Sequence, residues 1–232
     1  MSEKTGFLRN LFLGDVMKEV VFPFPRMKAE EQETIEMISA SIKAFGKKVN
    51  QDKIDKDEKL PPELLEEMKE LGLFGLIIPE EYDGIGLSVS GYARVLEDLA
   101  VLGSAVAATA GGHQSIGMKG LLLSGNDAQK KKYLSKLASG EMIAAFCLTE
   151  PNSGSDAASI RTRAVLSEDG SHYILNGEKQ FITNGGFADF YTVFAQTSIE
   201  EQGVKQDKIT AFIVTRDLGG VSSGPEEQKM GW

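Results

Sequence analysis

A chain of 232 residues, 41% of them hydrophobic, holds enough apolar material for one large domain or two small ones. Its formal charge of −9 excludes broad binding to nucleic acid or to an anionic membrane surface, which need a basic face, although a local basic pocket for a phosphate stays open. The single cysteine, Cys147, rules out an internal disulfide and favours an intracellular setting. No apolar run reaches the length of a transmembrane segment.

The start, Met1 to Gly6, lacks the Arg-rich, acid-poor character of a transit peptide and is not a secretory signal. Leu8, Leu11, Phe12 and Val16 recur at helical spacing, and Phe22-Pro23-Phe24-Pro25 then imposes extended backbone, because each proline disfavours helix in the residue before it. Residues 1–28 read as an N-terminal arm, either packed on its own domain or serving as a membrane-surface or partner-binding helix. Ile35, Ile38, Ile42, Phe45 and Val49 predict an amphipathic helix over Ala29 to Val49. The mixed-charge run Asp52 to Lys59 reads as a solvated connection. Pro61-Pro62 pre-sets the first turn of a helix that buries Leu64, Leu65, Met68 and Leu71, with Gly72 at its end.

Leu76 to Gly86 is a short apolar step followed by a glycine-rich turn. It lacks the strand–loop–helix setting of a dinucleotide fingerprint and a P-loop lysine, so a connecting turn is expected. Ser88 caps a helix to about Gly103, and Ser104 caps the next, rich in Ala and Gly. His113 follows at once; a lone histidine in such a place is more often a hydrogen-bonded structural group than a catalytic one. Asn126-Asp127 opens a last helix, which Gly140 stops.

After Met142 the period changes from helical to strand-like. Ile143 to Thr149, Arg161 to Leu166, Phe190 to Thr197 and Lys208 to Thr215 are expected strands. Tyr173-Ile174-Leu175 and Lys179 to Thr183 flank Asn176-Gly177, which predicts a two-residue hairpin. Helices followed by strands make an α+β pattern: a helical domain over 29–141, then an antiparallel, barrel-like β-domain over 142–232.

Two stretches carry more. Phe146-Cys147-Leu148-Thr149-Glu150-Pro151-Asn152-Ser153-Gly154-Ser155-Asp156 and Asn176-Gly177-Glu178-Lys179-Gln180-Phe181-Ile182-Thr183-Asn184-Gly185-Gly186 together resemble the acyl-CoA dehydrogenase family. The resemblance extends through Leu71 to Leu76, Pro79 to Gly84 and Tyr133 to Glu141, and the arm and Ala110 to Gly117 look most like the very-long-chain branch. It implies an FAD flavoprotein oxidoreductase that introduces an α,β double bond into an acyl-CoA thioester, as in fatty acid β-oxidation.

As what the resemblance implies, FAD is held by Phe146, Leu148, Thr149, Ser155, Phe181, Ile182 and Thr183. Phe146 and Thr149 sit beside the flavin ring, the Leu148 and Thr149 backbone meets its polar edge, and Ser155 reaches a pyrophosphate oxygen and lies near the substrate. Phe181 stacks on the ring, and Thr183 places its hydroxyl near N5. The position of Phe181 is usually tryptophan in the family, so less stacking area and a lower flavin affinity are expected.

The family pattern continues past Trp232 into a helical domain that supplies the catalytic glutamate and much of a homodimer or homotetramer interface. No catalytic base is therefore expected within this chain, and Glu150, Asp156 and Cys147 read as structural. The acceptor expected from the resemblance is an electron-transfer flavoprotein. The setting is cytoplasmic if bacterial, and mitochondrial matrix or inner-membrane-associated if eukaryotic. Two other readings remain open at this point: a non-catalytic binding or assembly module, and an acyl-CoA oxidase on the same scaffold.

Overall fold

The structure, a computed structural model, describes residues 6–23, 26–201 and 204–229. Phe24 and Pro25 of the proline stretch, and the final Met230 to Trp232, lie outside the described residues.

The arm carries two short helices, α1 (Phe7–Phe12) and α2 (Lys18–Val21), and neither buries a residue. Phe12 is 90% exposed, so the helical spacing is present but its apolar face is not packed on the domain. The helical part follows, with α3 (Ala29–Gly46), α4 (Gln51–Asp57), α5 (Pro62–Glu70), α6 (Val89–Leu102), α7 (Ser104–Gly111), α8 (Lys119–Ser124) and α9 (Asp127–Ser139). Ile35, Ile42 and Phe45 of α3 meet Leu64 and Met68 of α5, Val95 and Leu99 of α6, and Val106 of α7 in one core. Each such side chain withdrawn from water contributes about 1.5–3 kcal/mol.

Two local expectations change. The run Asp52 to Lys59 is mostly helix α4. Asn50 caps it by accepting a hydrogen bond from the Lys53 amide at 3.0 Å, and Ile54 is buried; one apolar anchor and one cap suffice for two turns. Helix α7 is preceded by Gly103 at φ +140° rather than capped by Ser104, which is its first residue. Ser88 and Asn126 do cap their helices, Asn126 in a full capping box with Gln129.

The sheet contains β1 (Ala144–Cys147), β2 (Arg163–Leu166), β3 (Tyr173–Asn176), β4 (Phe190–Glu201) and β5 (Val204–Thr215). β4 is its spine. β5 runs antiparallel along its whole length, while β1 and then β2 pair parallel to its other edge. The fold is the expected mixture of a helical part and a sheet part, but the sheet is mixed rather than wholly antiparallel, and among the described residues no pairing closes it into a barrel. β1 and β2 enter from helical and looped segments rather than from tight turns, and that route permits parallel pairing.

The expected Asn176-Gly177 hairpin is absent. β3 pairs back onto β2 through a turn at Ser167 to His172, where the Ser167 amide donates to the His172 carbonyl at 2.8 Å and Gly170 has φ +69°. Gly177 serves close approach instead: a Cβ there would stand 2.3 Å from Thr162 Oγ1. Residues 179–183 form no strand. Phe181 sits at φ +56°, a left-handed conformation costly for a bulky residue and incompatible with continued pairing.

Candidate functional site

The helical and sheet parts meet at a π-helical turn, Gly112–Gly117. His113 in this turn is fully buried. Its Nδ1 accepts from the Ala144 amide at 2.9 Å and its Nε2 faces the Leu137 carbonyl at 3.1 Å. The amide can only donate and the carbonyl can only accept, so the ring is the neutral Nε2–H form. Burial pushes its pKa down to about 4 against the opposing pull of the Leu137 carbonyl. His113 is therefore a structural link from α9 to β1, as the sequence suggested.

β1 brings Phe146 to Thr149 to this junction. Phe146 is half-buried, its ring 5.0 Å from that of Phe194 on β4. Leu148 and Thr149 follow, also half-buried, and are tied directly to the second motif. The Thr149 carbonyl accepts from the Gln180 amide at 2.9 Å. The Leu148 carbonyl accepts from Lys179 Nζ at 3.0 Å.

The same ammonium pairs with the Glu150 carboxylate at 2.8 Å, with the two side chains 11% and 6% exposed. Glu150 also accepts from the Arg161 and Thr162 amides and from the Thr162 hydroxyl. Burial alone would raise its pKa. Lys179, the Thr162 hydroxyl and the two amides outweigh burial and hold it at about 2. Four donors hold this carboxylate in its ionised form, which makes it a poor proton acceptor.

Phe181, Ile182 and Thr183 line a groove of about 1570 Å³, with Cys147, Tyr191 and Val193 on its sheet side. Phe181 is 59% exposed, and Lys229 Nζ stands 4.8 Å from its ring centroid. Thr183 packs over Gly112, where a Cβ would come within 2.9 Å of its methyl group. Asn184 fixes the end of the segment by donating to the Thr109 and Ala144 carbonyls at 3.1 and 3.3 Å.

Phe146, Leu148, Thr149 and Ser155 lie outside the groove lining. Ser155 is exposed in a loop that Asp156 organises, its carbonyl accepting from the Ser153 hydroxyl and its carboxylate from Ser159. The structure thus joins Leu148 and Thr149 to the 179–183 segment and leaves Ser155 apart. The hydroxyls of Thr149, Ser155 and Thr183 have no hydrogen-bond partner among the described residues.

Comparison with known proteins identifies the family. The acyl-CoA dehydrogenase N-terminal domain matches residues 31–141, and the acyl-CoA dehydrogenase middle domain matches residues 145–232. The chain belongs to the acyl-CoA dehydrogenase family. It is 49% identical to the mitochondrial very long-chain specific acyl-CoA dehydrogenase of Macaca fascicularis over 99% of this chain and 36% of that protein. An acyl-CoA dehydrogenase from Bacillus anthracis complexed with FAD superposes with a TM-score of 0.71 at 38% identity, over 93% of this chain and 35% of that one. Butyryl-CoA dehydrogenase from Megasphaera elsdenii gives a TM-score of 0.70 at 34% identity, over 82% and 49% respectively. The chain spans about a third of the length of the very long-chain relatives it matches.

Within this member of the family, the residue that motif reading passed over is Lys179. A single cation between Asn176-Gly177 and Phe181, in a segment otherwise read as strand, was the available signal. Its partner Glu150 lies 29 positions earlier, a separation at which no periodicity connects them. Cys147 behaves as expected: burial pushes its thiol up to about 12 despite the opposing Lys179 charge, which leaves it an unreactive apolar group.

Proposed function

We propose that this chain is the flavin-facing portion of an FAD-dependent acyl-CoA dehydrogenase that forms an α,β double bond in acyl-CoA thioesters. The observation that carries the reading is the direct tie between the two motifs, Leu148-Thr149 to Lys179-Gln180, beside an outward-facing aromatic ring at Phe181. These residues suit a flat, polar-edged cofactor: an exposed aromatic face, free hydroxyls at Thr149 and Thr183, and a Thr149 amide with no partner among the described residues. When bound, FAD supplies acceptance of the hydride that leaves the substrate β-carbon.

The remaining work falls to protein groups. Phe181 offers the face for stacking, with Phe146 and Ile182 beside it. The backbone at Leu148 and Thr149 meets the polar edge, Thr183 directs its hydroxyl to the reacting region, and Ser155 takes a pyrophosphate oxygen and lies beside the thioester. Removal of the α-proton requires a carboxylate with a free lone pair. Glu150 is committed to the Lys179 ammonium, two amides and a hydroxyl, so this role is assigned to an acid outside the described residues.

Residues 29–141 form the helical domain and 142–232 the sheet domain in this reading, with 1–28 as an arm. A long-chain acyl preference is supported by the 49% identity to a very long-chain specific relative. That relative is named mitochondrial, which supports a matrix or inner-membrane-associated place for a eukaryotic protein; a bacterial one would be cytoplasmic. An electron-transfer flavoprotein is the proposed acceptor, and a homodimer or homotetramer the proposed assembly. No helix among the described residues is long and apolar enough to cross a membrane.

Purification of the natural full-length protein tests the reading. Bound FAD that bleaches when a long-chain acyl-CoA is added, with electrons passing to a dye, is the expected result. Absence of both flavin and bleaching would sink it, and peroxide formation in place of dye reduction would move the assignment to an oxidase.

A further inference from the structure

We infer that Lys179 is a positioning residue: its ammonium sets the Leu148–Thr149 peptide plane so that the Thr149 N–H faces the cofactor edge. This rests on the flavin reading above and adds to it the group that orients one of its donors.

The geometry carries the inference. The Leu148 carbonyl and the Thr149 N–H belong to one planar trans peptide, so they point in opposite directions. Lys179 Nζ captures the carbonyl at 3.0 Å. The N–H is thereby turned away from the clamp, and it makes no hydrogen bond among the described residues. A peptide flipped about its flanking torsions would present an acceptor where the flavin edge needs a donor.

Lys179 is itself held by Glu150 at 2.8 Å. Glu150 is anchored by the Arg161 and Thr162 amides and the Thr162 hydroxyl, so the ammonium has a fixed origin rather than a mobile stem. The next residue, Gln180, takes the Thr149 carbonyl at 2.9 Å. Both carbonyls of the dipeptide are thus tied to consecutive residues, and Phe181 follows immediately. One buried ion pair sets the polar donor and the stacking face relative to each other.

The test uses the full-length holoenzyme and its Lys179→Met and Lys179→Arg variants, stripped of FAD and titrated with it. Lys179→Met is expected to weaken FAD binding by about tenfold or more, the equivalent of one charge-assisted hydrogen bond. It is also expected to shift the oxidised-flavin absorption band, which a purely structural lysine would not move. Lys179→Arg restores a cationic donor and should recover most of the affinity and the spectrum.

Wild-type protein that binds no FAD would overturn the flavin reading itself. Wild-type protein that binds FAD while Lys179→Met matches it in affinity and spectrum would overturn only the positioning role. Should Lys179→Met fail to fold, hydrogen exchange on the wild type decides. The Thr149 amide is expected to be protected only when FAD is loaded, and the Gln180 amide in both states; a Thr149 amide indifferent to FAD refutes the inference.

Discussion

Acidification below pH 6.5 should destabilise this protein through His113 before Glu150 or Asp169 contributes. The imidazole is buried, neutral and doubly hydrogen-bonded, with its pKa held at about 4 against an ordinary 6.5. Above pH 6.5 neither the folded nor the unfolded state carries the proton, so there is no effect. As pH falls below 6.5 the unfolded state takes up a proton that the folded state refuses, and stability is lost until about pH 4. At about 1.4 kcal/mol per pH unit the whole interval amounts to about 3 kcal/mol, of which about 2 kcal/mol falls between pH 7 and pH 5. Glu150 and Asp169, both held at about 2, act in the opposite window. Their stabilising share is fully present above their ordinary values of 4.5 and 3.8 and is lost only as pH falls towards 2. Urea midpoints at pH 7, 6 and 5 for wild type and His113→Gln separate the two. The variant should be weaker at pH 7 by about 1–3 kcal/mol, because the flexible Gln amide does not reproduce both ring contacts, to the Ala144 amide and the Leu137 carbonyl, yet its stability should change little down to pH 5. Parallel pH slopes for the two proteins would refute the assignment of a neutral, buried imidazole.

Three further substitutions probe the scaffold and the site. Gly177→Ala drives a methyl group to 2.3 Å from the Thr162 hydroxyl that holds Glu150, and should cost about 1–3 kcal/mol, read as a lowered urea midpoint. Asn126→Ala removes the capping box of α9 and should cost about 1 kcal/mol, visible in thermal melting. Phe181→Trp enlarges the ring of a residue that is 59% exposed; it should tighten FAD binding by about 0.5–1.5 kcal/mol in fluorescence titration, with the melting temperature of the apoprotein unchanged.

The helical part was legible because its signals are local. Ile35, Ile42 and Phe45 repeat at helical spacing, and Ser88 and Asn126 announce their caps. Helix α4 was not, because seven residues with one apolar position carry no period, and Asn50 with Ile54 decides the matter through a cap and a single buried contact. The positions of β1 to β5 were legible, with 179–183 read as a strand in excess, while strand directions were not: β1 and β2 read as strands from composition, but their parallel pairing with β4 depends on how the intervening segments route the chain. The site motifs were recognisable from resemblance to a family. The Lys179–Glu150 pair that joins them is a long-range electrostatic contact, invisible to any local pattern.

The same pair explains why 179–183 departs from its strand-like composition. The Gln180 amide donates to the Thr149 carbonyl, so it is unavailable to a ladder with β3, while the Lys179 ammonium pins the same segment to the Leu148 carbonyl. Phe181 then turns into the left-handed region, at a cost of about 1–2 kcal/mol, and its ring leaves the sheet for the groove. Such a conformation persists only where its surroundings over-determine it. Here the Gln180 amide holds the chain before the turn, and the Asn184 side chain holds it after by donating to the Thr109 and Ala144 carbonyls. An aromatic residue that is strained, exposed and fixed on both sides gains nothing for the apoprotein's own core. Its conformation makes physical sense as a preformed face for a flat ligand, which is why Phe181 carries more weight in the functional reading than any buried aromatic of this chain.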